Sequence, residues 1–491
     1  MEEQFAVRQE KLKKLAALGI MPYPYRFEVS HRFKDVIAKY KDLSADELKE
    51  VPGEIRCAGR IMAIRSMGKS AFMHLFDGDD KLQIYVRKEM VPEKDFSLCQ
   101  LLDIGDIIGV KGKIFKTHTQ ELSILVSELT FLAKSFHPLP EKWHGLQDKE
   151  LRFRQRYLDL IVNPEVKEVF RKRSRIIQNI RAFFHDRDYI EVETPMMHQI
   201  PGGASARPFI THHNALNIDL YLRVAPELYL KRLLVGGMER VFEINRNFRN
   251  EGISLMHNPE FTMIEFYELY KDFNDYMNLT EELLQGLNRE IALADDTIRW
   301  QDKSISLQPP FKRVKFMEIL AEKSGLALNE LWDEEFLKKH IRRQFPDEPL
   351  PPTFGKMLEL LFDSYVEKSL LEPTFVIHYP KAISPLSKVS RLDERETERF
   401  ELFIAGMEIA NGFSELNDPL EQRRRFEAQL QDREKGDDEA QRIDNNFLNA
   451  LEYGMAPAAG EGIGIDRLVM LYTGAATIKE VILFPLLRPR E

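Results

Sequence analysis

The spacing of apolar positions changes along the chain and divides it into stretches of different kind. Residues 2–18 set Phe5, Leu12 and Leu15 among Lys and Glu, which predicts an amphipathic helix ended by Gly19, Pro22 and Pro24. A short helical piece follows at 44–50. Between Gly53 and Leu132 the pattern turns to short β-rich runs at 55–64, 71–76, 82–86, 107–115 and 122–129, broken by Gly68, Gly78-Asp79-Asp80 and the polar run 117–120. Five strands within residues 53–132 predict a small closed barrel of the OB type. Such barrels often bind single-stranded nucleic acid, although others bind protein or nothing.

Phe136-His137-Pro138-Leu139-Pro140 reads as a linker. From Glu165 to Arg187, Val166, Val169, Phe170, Ile177, Ile180, Phe183 and Phe184 recur at helical spacing, and a strand at 189–193 stops at Pro195. Further strands are predicted at 219–224, 239–249, 259–269, 374–379, 399–413 and 461–466, with helical segments between them. The two central runs read as one tight hairpin. This order favours an α+β fold with an antiparallel sheet flanked by helices over a doubly wound parallel one. The expected division is a barrel domain at 1–135, a linker at 136–150 and a second domain at 151–491, without internal repeats.

A length of 491 residues agrees with two or three domains, and 43% apolar with 30% charged residues is ordinary for a soluble globular chain. No apolar run reaches the roughly 18–20 residues of a membrane span and the N-terminus has no signal-peptide core, so the expected compartment is the cytoplasm. Cys57 and Cys99 lack metal or disulfide spacing and are expected as buried thiols. The net charge of -9 is uneven: residues 1–150 hold 24 Lys and Arg against 23 Asp and Glu, so the N-terminal third can meet a polyanion without global repulsion.

Alternation in 239–249 separates Phe242, Ile244 and Phe248 from Glu243, Asn245, Asn247 and Arg249, giving one apolar and one polar face. The same parity puts Phe261, Met263, Glu265 and Tyr267 on one face of the return strand. Arg249 and Glu251 then stand at the hairpin mouth near Phe261, where a guanidinium can clamp phosphate or carboxylate and a ring can carry a purine. Residues 400–415 place Glu401, Glu408 and Glu415 in apolar, β-prone sequence. Buried carboxylates are costly, so a metal ion, a substrate cation or local basic residues must accompany them. Glu401 and Glu408 have opposite parity, so a common metal requires a turn or bulge at Gly406. Gly460, Gly462 and Gly464 permit close approach to the backbone, with Arg467 at the start of a helix. No βαβ unit surrounds them, and Gly68-Lys69-Ser70 is not a P-loop because position 63 is Ala.

These residues, in this order, resemble the class II aminoacyl-tRNA synthetases across nearly the whole chain, and within them the bacterial-type lysyl-tRNA synthetases. The helix and strand ending at Pro195 look like motif 1, which builds the dimer interface in that family. Residues 248–261 look like motif 2 and 460–467 like motif 3. Arg207-Pro208-Phe209, Ala225-Pro226-Glu227-Leu228-Tyr229 and Asn411-Gly412-Phe413-Ser414-Glu415-Leu416-Asn417 narrow the likeness to the lysine enzymes.

The resemblance implies a catalytic domain of that class behind an anticodon-binding barrel, in an ATP-dependent, Mg2+-requiring ligase that forms lysyl-adenylate and passes lysyl to the 3' end of tRNA(Lys). It implies a homodimer. Arg249 then holds the α-phosphate and the amino-acid carboxylate, Glu251, His257 and Asn258 contact ATP, and adenine sits between Phe261 and Arg467. Arg249, Glu251 and Arg467 carry catalysis, and Glu401, which also touches ATP, and Glu408 are the metal ligands. Gly203, Asn411 and Phe413 line the lysine site, Glu227 and Glu265 receive the α-ammonium, and Glu415 and Tyr267 the ε-ammonium. In the barrel, Arg65, Phe72, Gln83 and Glu121 match anticodon-reading positions, with Phe72 stacking a uridine. Independently, three carboxylates suit a substrate with two ammonium groups. Two departures stand out: Glu461 replaces the family's Leu, its carboxylate expected in solvent or near the phosphates, and Met256 replaces Arg, weakening a triphosphate contact. The competing readings are a paralogue that attaches a lysine-like amino acid to protein, against which the barrel counts, and an inactive RNA-binding scaffold, against which the retained charged residues count.

Overall fold

Two compact units, Met1–Lys167 and Glu168–Glu491, make up the chain in a computed structural model that describes residues 2–140, 146–291 and 293–489. Residues 141–145 of the expected linker lie outside the described residues.

In the first unit the strands β1 (Ile55–Met67), β2 (Ser70–Phe76), β3 (Lys81–Arg87), β4 (Ile107–Lys116) and β5 (Leu122–Ala133) close as a barrel in the order β1-β2-β3-β5-β4. The long β1 makes closure possible, because residues 55–60 pair with β4 and 60–67 with β2, and the register shifts between Ile61 and Ala63 where the strand turns. Alternate residues, among them Met73, Leu75, Ile84, Val86, Ile124 and Val126, are fully buried inside. The helix Glu2–Ala17 forms as its pattern predicts. Four helices escape the sequence reading, Phe33–Tyr40, Glu93–Cys99, Lys149–Arg154 and Arg156–Val162, because each is too short to establish a period. Cys57 and Cys99 are free and buried, and burial pushes their thiols up to about 12 and about 11.

The second unit is built on an eight-stranded sheet. Its strands are β6 (Ile190–Glu191), β10 (Arg240–Phe248), β11 (Glu260–Leu269), β14 (Lys312–Lys315), β15 (Thr374–Ile377), β16 (Arg399–Ile404), β17 (Met407–Ser414) and β18 (Ala458–Gly464), in the order β14-β15-β16-β17-β18-β11-β10-β6. All central pairings are antiparallel, and a parallel strand closes each edge. Smaller sheets join β7 (Met197–His198), β8 (Ile210–His213) and β9 (Ile218–Leu222), and β12 (Thr297–Trp300) with β13 (Lys303–Ser306).

One sheet face packs on helices. Ile176, Ile180 and Phe184, spaced four apart on the helix Glu165–His185, are fully buried, and Phe184 lies 4.5 Å from Phe266 between ring centroids. The helix Phe273–Glu290 starts at Asp272, whose carboxylate accepts from the Asn274 and Asp275 amides while Asp275 accepts in return. Its buried stripe of Tyr276, Met277, Leu283, Leu284 and Leu287 covers the same core. Burying each such large side chain contributes on the order of 1.5–3 kcal/mol.

Two expectations change and one is extended. The β10–β11 hairpin is not tight, since residues 249–259 form a long connection between strands in register from Arg240↔Glu268 to Phe248↔Glu260. The run 399–413 is not one strand but β16 and β17, joined through Ala405 (φ 59°) and Gly406 (φ 71°). The face of β10 that reads as polar is itself inside the fold, with Glu243, Asn245 and Asn247 all buried.

Glu461 follows the period of β18 away from both solvent and phosphates. Its carboxyl is buried on the helix-covered face at 2.7 Å from the Thr280 hydroxyl. That hydroxyl also reaches the Tyr276 carbonyl at 2.8 Å, so its one proton is shared and a protonated Glu461 donates to the oxygen. Burial holds the acid well above its usual value of 4.5. A raised folded-state value gives stability that is full below the unfolded value and lost as pH rises through the folded one. Glu461→Gln is therefore expected to stabilise increasingly above pH 5, by up to about 1.4 kcal/mol per pH unit. Melting temperatures of variant and parent at pH 6 and pH 9 check this, and a constant difference contradicts it.

Candidate active site

The register of the sheet decides which side chains meet. Cross-strand partners share a face, and Glu265 on β11, Gly462 on β18, Asn411 on β17 and Glu401 on β16 form one row across four strands. Tyr267, Gly460, Phe413 and Arg399 form the next. The glycines keep both rows open. A Cβ at Gly460 would lie 2.2 Å from Tyr267 Cε1 and 2.3 Å from Glu415 Oε1, and one at Gly462 would lie 2.6 Å from Met263 Cε. Over these rows lies a cavity walled also by Glu227, Arg249, His257, Phe261, Glu408 and Arg467.

The wall therefore gathers residues expected from distant parts of the chain. Gly203, Glu251 and Asn258 belong to it as well, and so does Met256. Glu415 does not. It is buried, with Oε1 beside the Tyr267 ring at the place a Cβ of Gly460 would take.

Charge is distributed unevenly along the cavity. Among the described residues Arg249 forms no ion pair, its Nε has no hydrogen-bond partner, and its guanidinium lies 5.1 Å from the Phe261 ring. A cation with free donors over an aromatic face is ready for an anion. Arg467 donates to His257 Nε2 at 3.0 Å and to Glu408 at 3.1 Å. Since Arg467 can only donate, His257 Nε2 accepts, and Nδ1 donates to Ser254 at 2.8 Å. Burial, then Arg467, lowers the His257 pKa and keeps the ring neutral. The helix Ile465–Thr473 that carries Arg467 is fastened by Asp466, which accepts from Arg173 at 2.5 Å and from the Thr262 amide at 2.7 Å.

Glu401 accepts from Arg399 at 2.6 Å and from Tyr379 at 2.8 Å. Burial and the Glu408 carboxylate nevertheless push it up to about 7. The turn that a shared cation requires is present at Gly406, a bulge lies between Leu402 and Phe403, and both carboxylates line the cavity. Two mutually repelling carboxylates suit Mg2+, which takes few protein ligands and completes its shell with phosphate and water.

At the other end Glu227, Glu265, Glu415 and Tyr267 converge. Glu265 is buried and accepts only from Tyr267, at 3.0 Å; burial and Glu227 hold it well above the usual carboxylate range. Glu415 is pushed up to about 8 by burial, and Glu227 is raised by the same cause. Glu415 Oε1 has no hydrogen-bond partner. Between Glu227 and Glu415 stands Lys231, fully buried, 2.6 Å from Glu227 and paired with Glu415 as well. Sequence reading missed Lys231, although it follows Glu227 by one helical turn.

On the outside of the barrel Arg65, Phe72 and Tyr85 are neighbours across three strands, and His74, Gln83 and Ser123 across another three. Gln83 donates to Ser123 at 2.8 Å, Glu121 meets His74 at 3.0 Å, and Phe72 stacks on Tyr85 with centroids 4.2 Å apart. The four expected residues thus lie close together on the outward side of neighbouring strands, Gln83 buried among them against Ser123, and the structure adds Tyr85.

The family model for class II tRNA synthetases (D, K and N) matches residues 148–488, and that for the OB-fold nucleic acid binding domain matches 55–132. The lysine–tRNA ligase of Pelotomaculum thermopropionicum is 53% identical over all of this chain and 96% of its own length. Those of Bacillus subtilis and Moorella thermoacetica are 50% and 52% identical over 100% and 99% of the chain and 98% of their own lengths. The chain belongs to the class II lysine–tRNA ligase family. No helix among the described residues of the synthetase is long and apolar enough to cross a membrane. Because Gly460 leaves no room for a Cβ, Gly460→Ala is expected to lower amino-acid activation about 100-fold. Amino-acid-dependent ATP/pyrophosphate exchange checks this, and parent-like exchange contradicts it.

Proposed function

We propose that the cavity of the second unit binds ATP and lysine, joins them as lysyl-adenylate and transfers lysyl to the 3' end of tRNA(Lys). The observation that carries this reading is the charge around the cavity: a guanidinium at Arg249 without an ion pair among the described residues, and three buried carboxylates, Glu227 and Glu265 in the wall and Glu415 outside it, with one resident ammonium at Lys231. Lysine has one carboxylate and two ammonium groups, which this arrangement complements. The relatives' names agree with it.

In this reading one oxygen of the lysine carboxylate attacks the α-phosphorus in line, and the bond from that phosphorus to the pyrophosphate oxygen breaks. Arg249 holds the carboxylate and the α-phosphate together, and Glu251, His257 and Asn258 hold ATP. Adenine lies between Phe261 and Arg467, for which the Phe261 ring in the cavity wall and the His257-braced Arg467 offer support. Glu401 and Glu408 would hold Mg2+, which supplies charge neutralisation of the phosphates when bound. Gly203, Asn411 and Phe413 shape the lysine pocket, Glu227 and Glu265 take the α-ammonium, and Tyr267 and Glu415 the ε-ammonium. Positioning and charge then supply the rate without a protein nucleophile.

Residues 1–135 act as the anticodon domain, 136–150 as a linker and 151–491 as the catalytic domain. Arg65, Phe72, Gln83 and Glu121 read the anticodon, with the Phe72–Tyr85 stack as the platform for a base. The protein works as a cytoplasmic homodimer. The apolar side chains Phe484 and Leu486, 72% and 54% exposed beside a groove lined by Phe209 and Phe248, support the pairing. A monomeric mass in sedimentation equilibrium excludes it.

ATP/pyrophosphate exchange with Mg2+ and each standard amino acid in turn tests the whole reading. Lysine alone should support exchange, whereas exchange with a different amino acid, or none, overturns it. Glu408→Gln should reduce exchange about 100-fold with little change in melting temperature, and parent-like activity removes Glu408 from the metal site. Phe72→Ala should leave exchange intact and raise KM for tRNA in aminoacylation about tenfold or more. An unchanged KM removes Phe72 from the anticodon site.

A further inference from the structure

Lys231 lies on the helix Glu227–Val235, fully buried and absent from the cavity wall. Its ammonium is 2.6 Å from Glu227 Oε1, one helical turn earlier, and meets Glu415 Oε2 from the segment that follows β17. The rings of Phe413 and Phe447 stand 5.3 Å and 5.8 Å away and close it off from water. The other charged or titratable groups that act on these carboxylates are Glu265 and Tyr267 on β11, Glu243 on β10, Arg249 just beyond β10, and Arg399 on β16; Glu243 is paired with Arg223 and Arg399 with Glu401. The ammonium thus donates to Glu227, pairs in charge with Glu415, and is fully buried beside carboxylates that border or underlie the amino-acid pocket.

Building on the function proposed above, we infer that Lys231 is the positioning and specificity-setting residue of the amino-acid site: a permanent ammonium beneath the pocket that fixes Glu227 and Glu415 and offsets one of its three carboxylates. The charge count follows. With Glu227, Glu265 and Glu415 ionised, Lys231 leaves two uncompensated negative charges, and lysine brings two ammonium groups to meet them. Without Lys231 three carboxylates share one buried space. Such a group binds protons instead, because like charges at low dielectric cannot all remain ionised. The freed Glu415 would also lose the ion pair that holds its Oε2 and keeps its Oε1 beside Gly460 and Tyr267. An amino acid with a single ammonium would then fit the protonated pocket as well as lysine does. Lys231 contacts neither substrate and acts through the two glutamates, so its effect belongs to KM for lysine.

The test compares the parent with Lys231→Met and Lys231→Gln in lysine-dependent ATP/pyrophosphate exchange between pH 6 and pH 9.5. Lys231→Gln retains hydrogen bonding and serves if the Met variant does not fold. The expected result at pH 7 is a lysine KM at least tenfold above the parent, with the ATP KM within twofold. It should also show a fall in lysine KM with rising pH whose midpoint lies at least one unit above the parent's, since the glutamates need higher pH to ionise without their cation. An unchanged lysine KM and pH midpoint in a folded variant overturns the inference, and so does an equal rise in both KM values, which marks a structural role. Failure of the parent itself to exchange with lysine rejects the proposed function instead, so the two failures are separable.

Discussion

Three buried carboxylates around a single resident ammonium are the constraint on which the rest of the structure depends. Glu227, Glu265 and Glu415 are each at most 6% exposed, and Lys231 is the only basic partner that any of them has among the described residues. A fold that keeps such a cluster in low dielectric is destabilised relative to an apolar core unless protons or a bound cation relieve it. The surroundings serve that end. Phe413 and Phe447 close off the floor, Tyr267 supplies a hydroxyl to Glu265, and the row of glycines on β18 leaves space for a ligand above. Arg249, which forms no ion pair among the described residues, supplies a cation to the same cavity.

The antiparallel sheet makes this economical to build. Four neighbouring strands put Glu265, Gly462, Asn411 and Glu401 in one row, so a side chain from residue 401 and another from residue 265 share a surface without any long loop. The other sheet face carries the large aromatic core of Phe184, Phe242 and Phe266 and holds the rows rigid. Asp466 ties the helix bearing Arg467 to Arg173 and to the backbone of β11, so both ends of the cavity rest on the same strands. Positioning accurate to a fraction of an ångström is what a reaction without a protein nucleophile demands.

Much of this was legible in the sequence, for identifiable reasons. The five barrel strands alternate cleanly because one face of each is buried, and the parity of Phe261, Met263, Glu265 and Tyr267 survives intact in β11. The need for a turn at Gly406 followed from the parity of Glu401 and Glu408, and Ala405 and Gly406 provide it. What failed were judgements about the far side of a strand. Glu461 reads as a departure near the phosphates, yet the period of β18 sends it into the core against Thr280, a partner 181 residues away that no local pattern announces. The polar face of β10 was legible as polar but not as lying inside the fold, where Glu243 is buried against Arg223 at 2.6 Å. Lys231 was hidden by its ordinary place in an amphipathic helix; only its fold partner Glu415 gives it meaning.

If the empty pocket holds protons in place of cations, lysine must displace them. The direct measurement is calorimetric titration of lysine into the protein at pH 7 in buffers of different ionisation enthalpy, which counts the protons exchanged on binding. Release of a substantial fraction of a proton or more, in the direction set by the raised values of Glu227, Glu265 and Glu415, is the predicted result. Binding with no release, or with uptake, would show that the carboxylates are already ionised in the empty site and would contradict the account.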